Sequence, residues 1–396
     1  MGKYDFDEIR ERRGTNSLKY DFAVKRGKPE GILPLWVADM DFPAPKEVTE
    51  ALVKKAEHGI FGYSEPFDGY FEALSAWAGT HFGWTPEPES VVLTCGVVFA
   101  ICNFIEALTE KGDGVLINPP VYYPFFEAIA DNERKLVTSD LVYSEGRYGI
   151  DFEDLEKKII ENDVKLYLLC NPHNPVGRVW TLEELEKVLD ICERNDVFVV
   201  SDEIHADFIY PGHSFHSFAA LKEAAKPGYA VCTSPSKTFN LAGLHNANIY
   251  IPDPVIREKF LKAQNKKGYS QSNIMGIVAC EAAYRYGGEW HKELLSYLGG
   301  NLAFLREYLK KNIPGIRLVE PEGTYLVWLD CRGLGLTDKE LNDLIVYKAG
   351  LWLDAGNIFG RSGELFERVN IACPRSVLKK ALEKLRNALG GAADGQ

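Results

Sequence analysis

Five short stretches of this 396-residue chain are apolar at nearly every position, not at every second one. They are GVLINP around Val115, KLYLLCNP around Leu168, VFVVSDE around Val199, YAVCTS around Val231 and ANIYIP around Ile249. Strands that are apolar on both faces must be covered on both faces, which points to a mostly parallel sheet buried between helices. The intervening sequence supplies those helices. TLEELEKVLDICERN opens with Thr181 and Glu184 in capping-box spacing and then sets Leu182, Leu185, Val188, Leu189 and Cys192 along one stripe. DFEDLEKKIIEN, starting at Asp151, reads the same way. The pattern then changes. Residues 273–312 read as helix interrupted near YGGEW, IRLVEPEGTYLVWLD as strand, turn and strand, TDKELNDLIVYKAG as helix, FERVNIACP as strand, and the chain from Ser376 as a last helix. The expected architecture is a large α/β domain over residues 46–285 and a smaller α+β domain formed by both termini, residues 1–45 and 286–396. The tail GGAADGQ reads as frayed.

A formal net charge of −12 disfavours a nucleic-acid or anionic-membrane partner, although an acidic exterior can enclose a basic pocket. No apolar run approaches the ~20 residues that span a bilayer. The opening stretch MGKYDFDEIRERRG is charged and lacks the apolar core of a secretory leader, so the expected location is the cytoplasm. The eight cysteines are scattered singly, without a CxxC pair, and read as reduced thiols. The histidines show no HExxH or HxH spacing, so no metal site is expected.

The residues with chemical potential follow the apolar runs. In open α/β sheets, ligands bind beyond the carboxyl ends of the strands. Asn174 in NPHNPVG follows one run, Asp202 in SDEIH closes the next, and Lys237 in TSPSK follows another. An amide, a carboxylate and an amine would thus converge. Each alone is commonplace: an aspartate at a strand end serves as a helix cap, a lysine as a solvated charge, and NPxNPxG as turn chemistry.

Taken in this order, the motifs resemble the fold-type I pyridoxal-phosphate enzymes of the class I/II aminotransferase superfamily, from about Pro34 to Pro374. The resemblance implies a pyridoxal 5'-phosphate cofactor and the fold of that class. Lys237 is then the lysine that binds the cofactor covalently and afterwards serves as base at Cα. Asp202 faces the ring nitrogen, Asn174 donates to the phenolic oxygen, and Tyr122 of NPPVYYPFF stacks on the ring. Ser234 and Ser236 supply phosphate hydroxyls. Gly96 of TCGVVFA opens a helix whose Val97 and Val98 N–H groups cap the phosphate. Tyr63 of FGYSEP resembles the tyrosine that reaches a neighbouring subunit's phosphate, which implies a homodimer. Arg375 of NIACPRS matches the arginine that grips the substrate α-carboxylate, with the Ala38 backbone of WVADMDFP beside it.

Within the superfamily, WVADMDFP, SDEIH, SPSKTFNLAGL and NIACPRS resemble the cystathionine β-lyase-type C–S lyases. Two departures separate the chain from aspartate-type transaminases: His205 stands where they carry tyrosine, and His245 where they carry the phosphate-gripping arginine. The resemblance implies β-elimination of a thiolate from a small amino acid substrate such as cystathionine, leaving pyruvate and ammonia. The alternative is amino-group transfer to a 2-oxo acid, and a minor one is a cofactor-loaded regulatory protein.

Overall fold

The structure is a computed structural model, and it describes residues 2–221 and 228–390. The GGAADGQ tail, beyond Gly390, lies outside the described residues. The large sheet has seven strands: β1 (Val91–Thr94), β2 (Gly114–Ile117), β3 (Lys135–Thr138), β4 (Val164–Cys170), β5 (Phe198–Asp202), β6 (Tyr229–Thr233) and β7 (Ala247–Tyr250). Their spatial order is β1-β7-β6-β5-β4-β2-β3. All pairs are parallel except those of β7, which runs antiparallel to both its neighbours.

Alternation along each strand divides the core into two layers. Leu116, Tyr167, Leu169, Val199 and Val231 pack on one face with α5 (Phe152–Glu161) and α6 (Leu182–Arg194). Ile117, Leu168, Val200, Cys232 and Ile249 pack on the other with α3 (Val97–Leu108), α4 (Pro124–Asp131) and α8 (Pro254–Lys266). The continuous apolar runs therefore mark strands buried on both faces. Asp151 caps α5 by accepting from the Glu153 and Asp154 N–H groups, and Thr181 and Glu184 close the capping box of α6.

Helices α1 (Lys46–His58) and α2 (Asp68–Phe82) pack against α9 (Ile274–Tyr286). The break after α9 falls at Gly287, where a Cβ would meet a ring carbon of Phe239 at 2.4 Å, so this close approach requires glycine. The 25-residue α10 (Gly288–Asn312) then leads to a second sheet of β8 (Arg317–Val319), β9 (Leu326–Asp330), β10 (Asp354–Ala355) and β11 (Phe366–Asn370). This sheet is antiparallel, in the order β8-β9-β11-β10. The helix expected in TDKELNDLIVYKAG is α11 (Asp338–Asp343), continued by one π-helical turn over Leu344–Lys348. The final helix, α12 (Arg375–Ala388), packs on α10. The N-terminal segment joins this end of the molecule: Leu33–Pro34 pairs in parallel with Leu351–Trp352, and Phe6 packs edge-on against Trp290.

Candidate active site

The carboxyl ends of β4, β5 and β6 lie side by side, so their following residues share one cleft. At the end of β5, Asp202 faces this cleft. Glu203 is turned away and is locked by the Phe218 N–H at 2.7 Å, with the Ser201 and Ser217 hydroxyls. After β6, Ser234 accepts from the Ser236 N–H at 3.1 Å and donates to the Asn246 carbonyl at 2.7 Å. That cap, with Pro235 at the first helical position, starts the four-residue helix α7 (Pro235–Thr238). The tight turn carries Lys237 inward, where its Nζ donates to the Ala38 carbonyl at 2.9 Å.

The cleft spans about 670 Å³, solvent at its open mouth included. Its wall includes Ala38, Gly96, Val97, Val98, Tyr122, Asn174, Asp202, His205, Ser234, Ser236 and Lys237. The family resemblance implied each of these as a site residue, and folding brings them to one cleft. Cys95, Cys170, Ile204, Ala242, His245 and Asn246 complete the lining.

Burial governs the charge in this cleft. It brings the Lys237 amine down to about 8; Arg368 pushes the same way, and the carboxylates Asp39 and Asp202 oppose it. It raises Asp202 to about 7, against the Ile204 N–H at 3.1 Å and the Lys237 charge. It drives His205 well below its ordinary value, assisted by Lys237 and Arg368, and the ring's Nδ1 is buried without a hydrogen-bond partner. Desolvation disfavours the charged form of each group.

Tyr63, expected at a neighbouring subunit's phosphate, is 95% exposed and lines an outward-facing cleft with Phe61 that shares Cys95 and His245 with the lysine cleft. Arg375, expected at the substrate carboxylate, is turned away from the lysine cleft. It begins α12, its Nε donates to Asn301 Oδ1 at 2.5 Å, and its guanidinium lies over the Phe304 ring at 5.1 Å. It therefore docks α12 onto α10. The guanidinium at the cleft is Arg368, seven residues earlier, in the middle of β11. Its Nη1 donates to Asn174 Oδ1 at 3.0 Å and its Nη2 to the Trp36 carbonyl at 2.9 Å, with Asp354 as its ion-pair partner. The available signal was an arginine inside the predicted strand FERVNIACP, where burial requires partners.

The fold and cleft define the class: a doubly covered sheet with a desolvated lysine facing a buried carboxylate across adjacent strand ends. The model of the class I and II aminotransferase family matches residues 30–385, and the chain belongs to that family. It is 41% identical to cystathionine β-lyase PatB of Bacillus subtilis, over 97% of this chain and all of that one. It is 33% identical to the protein MalY of Escherichia coli, over 98% of this chain and 99% of that one. Among solved structures it resembles cystalysin from Treponema denticola, which contains pyridoxal 5'-phosphate. The TM-score is 0.93 and the identity 38%, covering 98% and 99% of the two chains. The pyridoxal-phosphate-bound C–S lyase from Staphylococcus hominis gives a TM-score of 0.90 at 34% identity, covering 98% of each chain.

The cleft fits this cofactor. The partnerless His205 nitrogen and the Asp202 carboxyl, which accepts one N–H, suit a polar ring. The first turn of α3 and the Ser236 hydroxyl offer donors for a phosphate, and the Ser234 hydroxyl would join them by turning from the Asn246 carbonyl. Among the described residues no cluster of His, Cys, Asp or Glu could hold a metal, and no helix is long and apolar enough to cross a membrane.

Proposed function

We propose that this protein is a pyridoxal-phosphate-dependent C–S β-lyase. It would cleave cystathionine or another S-substituted cysteine to a thiol, pyruvate and ammonia. The match to a cystathionine β-lyase over 97% of the chain carries this reading. When bound, the cofactor supplies an electron sink for the negative charge that develops at the substrate Cα. The protein does the rest. Asp202 holds the ring nitrogen in its charged form, and Asn174 orients the phenolic oxygen. Tyr122 covers one face. Ser234, Ser236 and the N–H groups of Val97 and Val98 hold the phosphate. Arg368, in place of Arg375, binds the α-carboxylate and fixes Cα over the ring. Lys237, brought down to about 8 by desolvation and so mostly neutral above that pH, takes the Cα proton. A thiolate is a good leaving group from Cβ, and the three-carbon enamine left behind hydrolyses to the oxo acid and ammonia.

The same reading includes a homodimer in the cytoplasm, and a small domain formed by residues 1–45 and 286–396 on a large domain of 46–285. Support for the dimer comes from Ile60, Phe61, Tyr63 and Phe67, which are 66, 59, 95 and 87% exposed, an apolar segment left largely uncovered by the described residues of its own chain. In a two-fold dimer Tyr63 would reach the partner's phosphate. Sedimentation tests this; a fully active monomer contradicts it.

Incubation with cystathionine and no 2-oxo acid tests the reaction. A lyase accumulates many equivalents of pyruvate per site. Pyruvate that stops at one equivalent, with sustained turnover only when a 2-oxo acid is added, would instead establish a transaminase.

A further inference from the structure

The Ala38 carbonyl that receives the Lys237 amine belongs to a short backbone loop, and side chains hold that loop carbonyl by carbonyl. Arg368 Nη2 donates to the Trp36 carbonyl at 2.9 Å. Asn370 Nδ2 donates to those of Val37 and Asp39 at 2.7 and 2.6 Å. The Tyr325 hydroxyl donates to that of Ala38 at 2.9 Å, beside Lys237. Asn240 brackets Met40, accepting from its N–H and donating to its carbonyl, each at 3.0 Å.

The loop also carries two carboxylates, Asp39 and Asp41, and these are held from the N-terminal strap. Lys19, whose side chain is 0% exposed, contacts both Asp41 oxygens at 3.1 Å and Asp39 at 3.6 Å. Arg12 donates to Asp39 Oδ2 at 2.7 Å and Asp41 Oδ1 at 2.8 Å, and Tyr20 donates to Asp41 at 2.9 Å. A fully buried lysine is costly to desolvate and persists where its partners repay that cost. Here two cations balance two anions on the loop that touches the lysine of the cleft.

We propose that Lys19, assisted by Arg12, is a positioning residue for Lys237: it fixes Asp39 and Asp41 so that the Ala38 carbonyl stands where it orients the Lys237 amine. The proposal rests on Lys237 being the reacting amine. Its effect is both steric and electrostatic. Asp39 lies close enough to favour the charged amine, while Asp202 acts likewise and Arg368 in the opposite sense; His205 and Tyr325 complete the surroundings. Removing the Lys19 cation leaves the loop carboxylates less compensated and the Ala38 carbonyl less constrained.

The test uses cofactor-stripped protein reloaded with pyridoxal 5'-phosphate, and the loaded enzyme. Because uptake consumes a neutral amine, its rate rises with pH through the Lys237 titration. Lys19→Met is expected to move that midpoint upward by roughly half to one pH unit. It is also expected to lower kcat for β-elimination about tenfold, and Lys19→Arg is expected to restore both. Arg12→Met, on the strap's partly exposed rim, should shift both readouts in the same direction and serves if Lys19→Met does not fold. A variant of either residue that melts earlier but keeps the wild-type midpoint and kcat would overturn the proposal and make the cluster a structural clamp only. A wild-type enzyme that takes up cofactor with this pH dependence yet makes no pyruvate would sink the lyase reading and leave this inference standing.

Discussion

Asp202 and Glu322 are both buried carboxylates, 3% and 5% exposed, yet their acidities are displaced in opposite directions. Glu322, in the loop between β8 and β9, accepts from Arg178 Nε at 2.9 Å, the Val179 N–H at 2.9 Å and Arg147 Nε at 2.8 Å. Burial would push its carboxyl up, but the Val179 N–H and the two arginines outweigh burial and hold it below the usual range. Asp202 accepts one backbone N–H and is pushed up to about 7. A satisfied buried charge ties parts of a structure together, and an under-satisfied one awaits a ligand. The Glu322 cluster has a positional consequence too. It clamps the loop of Asn171 to Val179, which carries Asn174, to the smaller sheet, which carries Arg368.

The sharpest break of this comparison is Lys237→Ala. It removes the base and the attachment point from the under-satisfied cleft and should cut pyruvate formation from cystathionine by up to about 10⁴-fold. Melting temperature should change little, because the lysine's main partner is a single carbonyl. Borohydride reduction of the loaded protein should place the cofactor adduct on Lys237, by peptide mass spectrometry.

Glu322→Ala attacks the satisfied cluster and should behave in the reverse way. Leaving Arg178 buried beside a vacancy is expected to cost about 3–5 kcal/mol of unfolding free energy, measured by urea titration. Unfolding curves that superimpose on the wild type would show that this network contributes nothing.

The two arginines sharpen the contrast within one segment. Arg368→Ala should raise KM for the amino acid by about 10- to 150-fold, the equivalent of losing a charge-assisted contact worth roughly 1.5–3 kcal/mol. Arg375→Ala should lower thermal stability and leave KM nearly unchanged. The opposite pattern would return the carboxylate to Arg375.

The smallest effect is a shift in pH. The amine of an ordinary lysine becomes neutral near ~10.4. With burial bringing Lys237 to about 8, the neutral form predominates above that pH and is lost below it. Cofactor uptake by the stripped protein should therefore rise through about pH 8 and level off above it. A rate still climbing at pH 10 would show an exposed amine.

Much of the site was legible before folding because it sits at strand ends. An apolar run followed by Asn174, Asp202 or Lys237 announces both a strand and what lies past its carboxyl edge, and parallel neighbours must present those edges together. The two-layer core followed from the same runs, since a strand apolar at successive positions can only be buried on both faces. Helix starts were equally local: Asp151 and Thr181 cap within three residues of themselves.

Relations between distant segments were not legible. Arg368 and Arg375 are both arginines near one short motif, and local spacing cannot tell which faces the cleft. That depends on the pairing of β11 with β9 and on Asn174, 194 residues away. Nothing in the residues next to Lys19 marks it as buried, and only the folded strap brings it to Asp41. The single-residue chemistry, the strand ends and the caps belonged to the sequence, because their partners are near in the chain. Which charges are compensated, and which are left waiting for a ligand, was decided by tertiary structure, because compensation is a matter of a few ångströms between residues that the chain separates by 22 positions for Lys19 and Asp41 and by 144 for Arg178 and Glu322.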